Sequence, residues 1–404
     1  MDQTNQNQNL LSMKSRWIYV LFGIIIMMCL GTVYSYSVFR ISVEEAYGVG
    51  FTKSGLPYMA SLAFYAIFML ITGKYLDKYS PRTIIIIGGF LVALGWILSS
   101  FTSNIITLTL TYGVLIGSGV GIVYGSPMAV VAKWFPEKKG AFVGIVLLGF
   151  GLSPFITAPF ARCLISLYGL HRTFLILGII FGVVITILSY PFRYPTNDEH
   201  KSLEPSNQQN NTIHELETNQ MLRTTSFRNL FFCFTIGTMI GLTLVGMTSN
   251  IGTNLIKLPA KTVALLISFF AIFNGLGRPI FGWLTDKISH KKTMAISYVL
   301  ILIAAILMIL ARPGSLILYM IAFSIFWFNL GGWLAIAPAV TLALYGEKHY
   351  SQNYGVVFLA YGIGAIGGVM LSGLLMDLLK NYNVIFYFVI VLCIFGFISS
   401  RKMK

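Results

Sequence analysis

FAIFNGLGRPIFGWLTD, residues 270–286, sets one permanently charged side chain, Arg278, inside an otherwise apolar run. Arginine keeps its proton in proteins, so burial cannot neutralise it, and at membrane depth it is tolerated where it faces a bundle interior or a watery cavity. Asn274 precedes it by one helical turn, at i, i+4, on the same face. Gly275 and Gly277 loosen the helix between them, and Pro279 frees the carbonyl of Gly275, so the segment reads as a bendable helix carrying a polar stripe. Two placements satisfy the charge. Arg278 lies only roughly 10 Å of helix rise from Asp286 in a hydrocarbon core about 30 Å thick, so the long side chain could snorkel to the surface. Otherwise it stays buried and binds an anion, the placement that the neighbouring amide and glycines favour.

The rest of the chain supports membrane depth. Of 404 residues 56% are apolar and 10% charged, with mean hydropathy +0.79, a composition that excludes a soluble protein and predicts an all-α membrane protein. Twelve apolar runs are long enough to span, at 17–39, 54–73, 83–101, 105–132, 141–166, 171–192, 229–251, 262–285, 293–311, 315–345, 353–378 and 384–400. The longest polar stretch, 193–228, falls midway and reads as a flexible linker, which predicts a tail (1–16), a six-helix half (17–192), the linker, a second six-helix half (229–400) and a short tail (401–404).

The net charge of +15 does not point to nucleic acid, because the basic residues sit in short loops and form no patch with interleaved aromatics. With the N-terminus inside, one side receives Lys14, Arg16, Lys74, Lys78, Arg82, Lys133, Lys138, Lys139, Lys287, Lys291, Lys292 and Lys348, among others. The opposite side receives only Arg40, Lys53, Arg162, Arg172, Lys257, Lys261, Arg312 and Lys380. This asymmetry places both termini in the cytoplasm. The polar first sixteen residues lead straight into a full-length span, so no cleaved signal peptide is expected. Cys29, Cys163, Cys233 and Cys393 are scattered without metal-ligand spacing and read as packing residues; no metal or cofactor is expected.

The two halves echo each other at an offset of roughly 210 residues, as repeated carrier architectures do. Gly73 to Lys78 (GKYLDK) answers to Gly282 to Lys287 (GWLTDK), Tyr124 to Pro127 answers to Ile336 to Pro338, and Gly144-Ile-Val answers to Gly355-Val-Val. Each GxxxDK copy pairs a glycine that permits close helix approach with an acid and bases on a short loop. Asp77, Lys78, Arg82, Asp286 and Lys287 are therefore candidate gating residues, although such charges can also serve topology alone.

At these residues the chain resembles the major facilitator superfamily, with GKYLDKYSPR at 73–82 similar to that superfamily's loop signature. More narrowly it resembles the oxalate/formate antiporter family and its monocarboxylate-transporter relatives, through Tyr34 to Phe39 (YSYSVF), Lys133 to Gly140 (KWFPEKKG), Gly149 to Pro154 (GFGLSP) and Asn274 to Pro279 (NGLGRP). The resemblance implies an anion site between the halves with Arg278 as the carboxylate ligand, Asn274 beside the substrate and Tyr124 hydrogen-bonded to it. It further implies Asn329 or Trp333 lining the cavity from the tenth span, with Tyr34 and Tyr36 as weaker candidates from the first. Oxalate exchangers of the family carry a second cation in the eleventh span, and here that position is Tyr361. One arginine with tyrosine hydroxyls suits a single carboxylate, so the expected substrate is a monocarboxylate of the lactate, pyruvate or formate class.

No Asp, Glu or His falls near the middle of an expected span. Either the substrate's own carboxyl carries a proton or the carrier exchanges anions without one, and proton-linked movement is the reading favoured. Two other classes compete. Gly362 to Gly367 (GIGAIG) matches GxGxxG but lies inside a span with no βαβ context, so a dinucleotide enzyme is excluded and close helix packing explains the glycines. A transporter-like sensor would need an output module, which the polar linker and short tails do not supply. The expectation is a monomeric twelve-helix carrier in a bacterial plasma membrane.

Overall fold

The computed structural model describes residues 2–76, 78–136, 139–196, 199, 215–346 and 349–402. Every regular element among them is helical. That suits a chain crossing lipid, where no water is at hand to satisfy backbone N–H and C=O groups. The apolar runs become α1 (Arg16–Tyr47), α2 (Phe51–Gly73), α3 (Pro81–Ser99), α4 (Ile105–Trp134) and a single helical stretch Phe142–Ser189. They continue as α7 (Thr225–Leu255), α8 (Ala260–Ile288), α9 (His290–Leu310), α10 (Leu316–Tyr345), α11 (Tyr350–Leu379) and α12 (Asn383–Arg401).

The stretch Phe142–Ser189 is two spans. Gly169 sits at φ 78°, ψ 173°, a conformation that essentially only glycine adopts, and it divides α5 (142–168) from α6 (170–189). The two pack against different neighbours: Gly149 meets the backbone of Ile24 in α1, whereas Gly178 and Gly182 meet Ile97 and Ala93 in α3. The structure is thus an all-α membrane fold of twelve spans, with the α5–α6 break where the hydropathy places it.

Polar side chains set several helix starts. Asn104 Oδ1 accepts from the backbone N–H of Ile106 at 3.0 Å and Thr107 at 2.9 Å, and Thr224 Oγ1 accepts from Phe227 N at 3.1 Å, each satisfying orphan donors of a first turn. That cap starts α7 at Thr225, four positions before the expected span. A short helix Thr218–Leu222 precedes it. The lead-in docks on the second half: Leu216 N donates to Tyr345 O at 3.1 Å and Asn353 Nδ2 donates to Leu216 O at 2.9 Å. The end of the expected linker is therefore ordered against α10 and α11, while its middle, 200–214, lies outside the described residues.

The start of α1 and the end of α12 lie at one face, the former through Arg16 Nη1 donating to Trp134 O, Trp134 Nε1 to Arg193 O and the Tyr194 hydroxyl to Leu76 O. Asn229 Nδ2 at the start of α7 donates to Lys402 O at 3.1 Å, and Gly73 at the end of α2 packs on Ser351 at the start of α11. We call this the terminal face and the opposite one the far face. The halves, α1–α6 and α7–α12, meet along two antiparallel helix pairs. In the first, α2 lies on α11 from end to end, through Gly73 on Ser351, Leu70 on Gly355, Ala66 on Gly362 and Thr52 on Gly373. In the second, α5 lies on α8, through Gly151 on Asn274 and Gly275 and Ser268 Oγ donating to Pro154 O at 3.4 Å. Large apolar side chains such as Phe90, Ile187 and Leu310 are exposed on the outside, as lipid contact requires. Cys29, Cys233 and Cys393 are buried as expected, and Cys163 is exposed.

Candidate functional site

Arg278 is 2% exposed, so it does not snorkel. None of its three guanidinium nitrogens has a hydrogen-bond partner among the described residues, and its Cζ lies 5.7 Å from the centroid of the Phe150 ring across the half interface. A buried charge without a counterion costs several kcal/mol even after relaxation. The fork of N–H donors is matched to a carboxylate, which it can hold through two parallel bonds.

Asn274 is held one turn away. Its Nδ2 donates to Trp327 O at 3.2 Å in α10, which fixes the amide and leaves Oδ1, also buried, without a partner. Glycines on both sides allow the fit. A Cβ on Gly151 would lie 2.8 Å from Asn274 Oδ1, and one on Gly331 would strike Asn274 O. The NGLGRP segment is thus clasped between α5 and α10 at backbone distance, and the side chains at 274 and 278 emerge beside the seam between the halves.

Aromatic side chains from both halves close around that seam. Tyr34 and Tyr361, one from each half, share a hydrogen bond between hydroxyls at 2.9 Å. Phe150 is the hub, with ring centroids 5.2 Å from Tyr34, 5.9 Å from Tyr65 and 5.4 Å from Tyr124. Tyr65 continues the box to Phe358 at 5.1 Å and Tyr361 at 5.5 Å. These edge-on and offset contacts are the favourable ring geometries. Of the expected site residues, Arg278, Asn274, Tyr34, Tyr124 and Tyr361 are therefore gathered at one place.

Three expected residues are elsewhere. Tyr36 stacks on Tyr58 and donates to Ser54 O at 2.7 Å inside the first half; two positions from Tyr34 on a helix, it faces nearly the other way. Asn329 turns towards α9, where its Oδ1 accepts from Ser297 Oγ at 2.7 Å and its Nδ2 donates to Ile325 O at 2.8 Å. Trp333 packs on Tyr298 of α9 and against Gly237 of α7. The α10 residues that approach the site are instead Trp327, through its carbonyl, and Gly331.

Of the gating candidates, Lys78, Arg82, Asp286 and Lys287 lie at the terminal face. Asp77 is outside the described residues. Asp286 is exposed and makes no ion pair among them. The bases lie over rings: Lys78 Nζ is 5.8 Å from Tyr75, Arg82 Cζ 3.9 Å from Tyr190 and Lys287 Nζ 4.7 Å from Trp283.

Sequence reasoning missed four residues. Phe150 lies within the GFGLSP motif, where nothing local distinguishes its ring as part of a site. Tyr65 and Phe358 carry no signal that separates them from 31 phenylalanines and 21 tyrosines in the chain. Arg40, counted only as a topology charge, is 2% exposed, and each of its three guanidinium nitrogens donates a hydrogen bond at the far face.

The comparisons with known proteins agree with this architecture. The family model described as Major Facilitator Superfamily matches residues 20–258 and 229–401. The oxalate:formate antiporter of Oxalobacter formigenes is 28% identical over 368 residues, covering 91% of this chain and 86% of its own. Monocarboxylate transporter 12-B of Danio rerio is 26% identical over 359 residues, covering 81% and 73%. Among solved structures, a bacterial homolog of the human lysosomal transporter Spinster superposes with a TM-score of 0.71 at 14% identity, over 96% of this chain and 97% of that one, which speaks for the fold alone. With twelve spans in two halves, a buried arginine at their seam and a family match running through both, the chain belongs to the Major Facilitator Superfamily and is a membrane transporter, not an enzyme.

Proposed function

We propose that this transporter moves small monocarboxylate anions of the lactate, pyruvate or formate class by alternating access, the six-helix halves rocking about the Arg278 site. The observation that carries the reading is the unpartnered guanidinium of Arg278, buried at the half interface within rings and hydroxyls. One cation there balances one carboxylate. In this reading Arg278 holds the carboxylate through its fork, Asn274 and Tyr124 orient it, and Tyr34 and Tyr361 bound it from the two halves. Asn274 is an amide and cannot carry a proton, so the proton travels on the substrate's own carboxyl. Asp77, Lys78, Arg82, Asp286 and Lys287 close the terminal face in the opposite phase of the cycle, and that face is cytoplasmic in a bacterial plasma membrane, with the protein acting as a monomer.

A second reading, exchange of oxalate for formate, is supported by similarity to the Oxalobacter antiporter over nearly the whole chain. Uptake of labelled lactate, formate and oxalate into proteoliposomes, with and without an inward proton gradient, separates the two. Gradient-driven lactate or formate uptake that Arg278→Ala abolishes supports the monocarboxylate reading. Oxalate uptake that needs only an internal counter-anion replaces it with the exchanger.

A further inference from the structure

The far face is sealed by a charged network that no transport role has yet been given. Arg40 on α1 reaches across the halves, its Nη1 donating to Gly246 O of α7 at 3.3 Å. Within its own half, Nη2 donates to Phe51 O at 2.6 Å, Nε donates to Ser54 Oγ at 3.0 Å, and Cζ lies 3.6 Å above the Phe51 ring. A Cβ on Gly55 would come 3.2 Å from Nη2, so a glycine makes room for the guanidinium.

The counterion is Glu44, one turn along α1, with Oε1 3.5 Å from Arg40 Nε. Its side chain is 25% exposed, against 3% for Arg40, so protons from the far-face solvent reach the carboxylate and not the arginine. Ser54 links the two groups. Its hydroxyl accepts from Arg40 and has a single proton to give, with Glu44 Oε1 at 2.8 Å and Phe51 O at 2.9 Å as the alternative acceptors. Across the seam, Asn250 on α7, one turn beyond Gly246, is 1% exposed and turns its amide towards Glu44.

We propose that Glu44 is a proton-binding site that controls this seal, ionised Glu44 holding the far face closed and protonated Glu44 releasing it. The proton balance is local. A proton from far-face solvent bonds to a Glu44 carboxylate oxygen, the Ser54 hydroxyl turns its hydrogen from Glu44 to Phe51 O, and Arg40 loses the charge that offsets its burial. The bond from Arg40 to Gly246 then holds the halves together around an uncompensated cation, which favours separation into water. The other titratable groups facing the pair are Tyr36 on α1, Tyr58 on α2, Asp377 near the end of α11 and Tyr382 in the turn before α12. Asp377 serves a separate clasp, its Oδ2 accepting from Thr52 N at 3.2 Å, so it is the natural control. The inference gives the proton-linked reading above a site on the protein besides the substrate's carboxyl, and so rests on that reading for its physiological use.

The test is a distance measurement that needs no substrate. Spin labels at Val49→Cys and Asn381→Cys, in protein whose native cysteines are replaced, report far-face separation in nanodiscs from about pH 8 to about pH 5. A one-unit difference in proton affinity between the closed and open forms changes their ratio about tenfold. The wild type should shift towards the long distance on acidification, Asp377→Asn should keep that shift, and Glu44→Gln should show a pH-independent distribution resembling the acid form. Ser54→Ala, which keeps both charges, should move the midpoint of the transition and serves if Glu44→Gln fails to fold. Distances independent of pH in the wild type, or a transition unchanged in Glu44→Gln or Ser54→Ala, overturn the proposal. Because no carboxylate is added, failure of monocarboxylate uptake by the wild type would sink the substrate assignment and leave this result standing.

Discussion

Arg40 and Arg278 are equally buried, each 2% exposed, and are opposite in what surrounds them. Arg40 spends its donors on Ser54, Phe51 and Gly246 and has Glu44 as counterion. Arg278 has no protein acceptor among the described residues. A satisfied charge finds its acceptors within the protein and needs no ligand to complete them. An unsatisfied one stores a binding preference in the folded protein. The difference separates the seal of the far face from the anion site at the seam, although in sequence both are single arginines in apolar surroundings.

The comparison breaks first on stability. Arg40→Met removes the cation and leaves Glu44 without its counterion, so it should destabilise the detergent-solubilised protein by about 3–5 kcal/mol. Arg278→Met removes a charge that nothing offsets and should leave thermal stability unchanged or raised. A loss at 278 as large as that at 40 would mean that Arg278 is structural. Transport gives the next largest effect. Arg278→Lys keeps the charge but loses the planar fork, and should lower monocarboxylate uptake about 100-fold, the size expected from losing charge-assisted bonds of about 3 kcal/mol. Normal uptake by the lysine variant would refute the bidentate geometry.

A third arginine sharpens the contrast at the small end. Arg193 at the terminal face makes a bidentate pair with Glu199, Nη1 to Oε2 at 2.7 Å and Nη2 to Oε1 at 2.9 Å. The Arg193 guanidinium bonded to Glu199 holds its carboxyl well down, from 4.5 to about 2. A depressed carboxylate stabilises the fold above its unfolded value, so the contribution is complete above about pH 4.5 and is lost as pH falls through about 2. The pair is largely solvated, and such pairs are worth about 0–1 kcal/mol. Glu199→Gln should therefore move the melting temperature by no more than a degree or two at neutral pH, and should lessen the acid sensitivity of a melting series taken down to about pH 2.

How much of this was legible in the sequence depended on whether the signal was local. The twelve spans were readable because hydropathy is summed over a window, and even the α5–α6 break at Gly169 fell where the runs were expected to part. Arg278 was readable because a charge in such a run needs an explanation wherever it points. Facing was not readable. Tyr34 and Tyr36 looked alike in YSYSVF, yet one meets Tyr361 across the seam and the other packs on Tyr58. Asn329 looked as polar as Asn274, but its partner Ser297 belongs to a neighbouring helix that no spacing rule identifies. Phe150 became visible as the hub of the site only when three rings and a guanidinium were seen around it.

The α2–α11 pair, described above as one of the two places where the halves meet, also bears on how they can move. Gly73, Gly355, Gly362 and Gly373 set backbone against Ser351, Leu70, Ala66 and Thr52 along its length. A seam of this kind has few teeth at the glycines, and its interlocking is gathered where Tyr65 of α2 meets Phe358 and Tyr361 of α11. Friction is then low where glycine meets backbone, and resistance is concentrated at that aromatic contact and at the far rim, where Arg40 bonds Gly246 and Asp377 bonds Thr52.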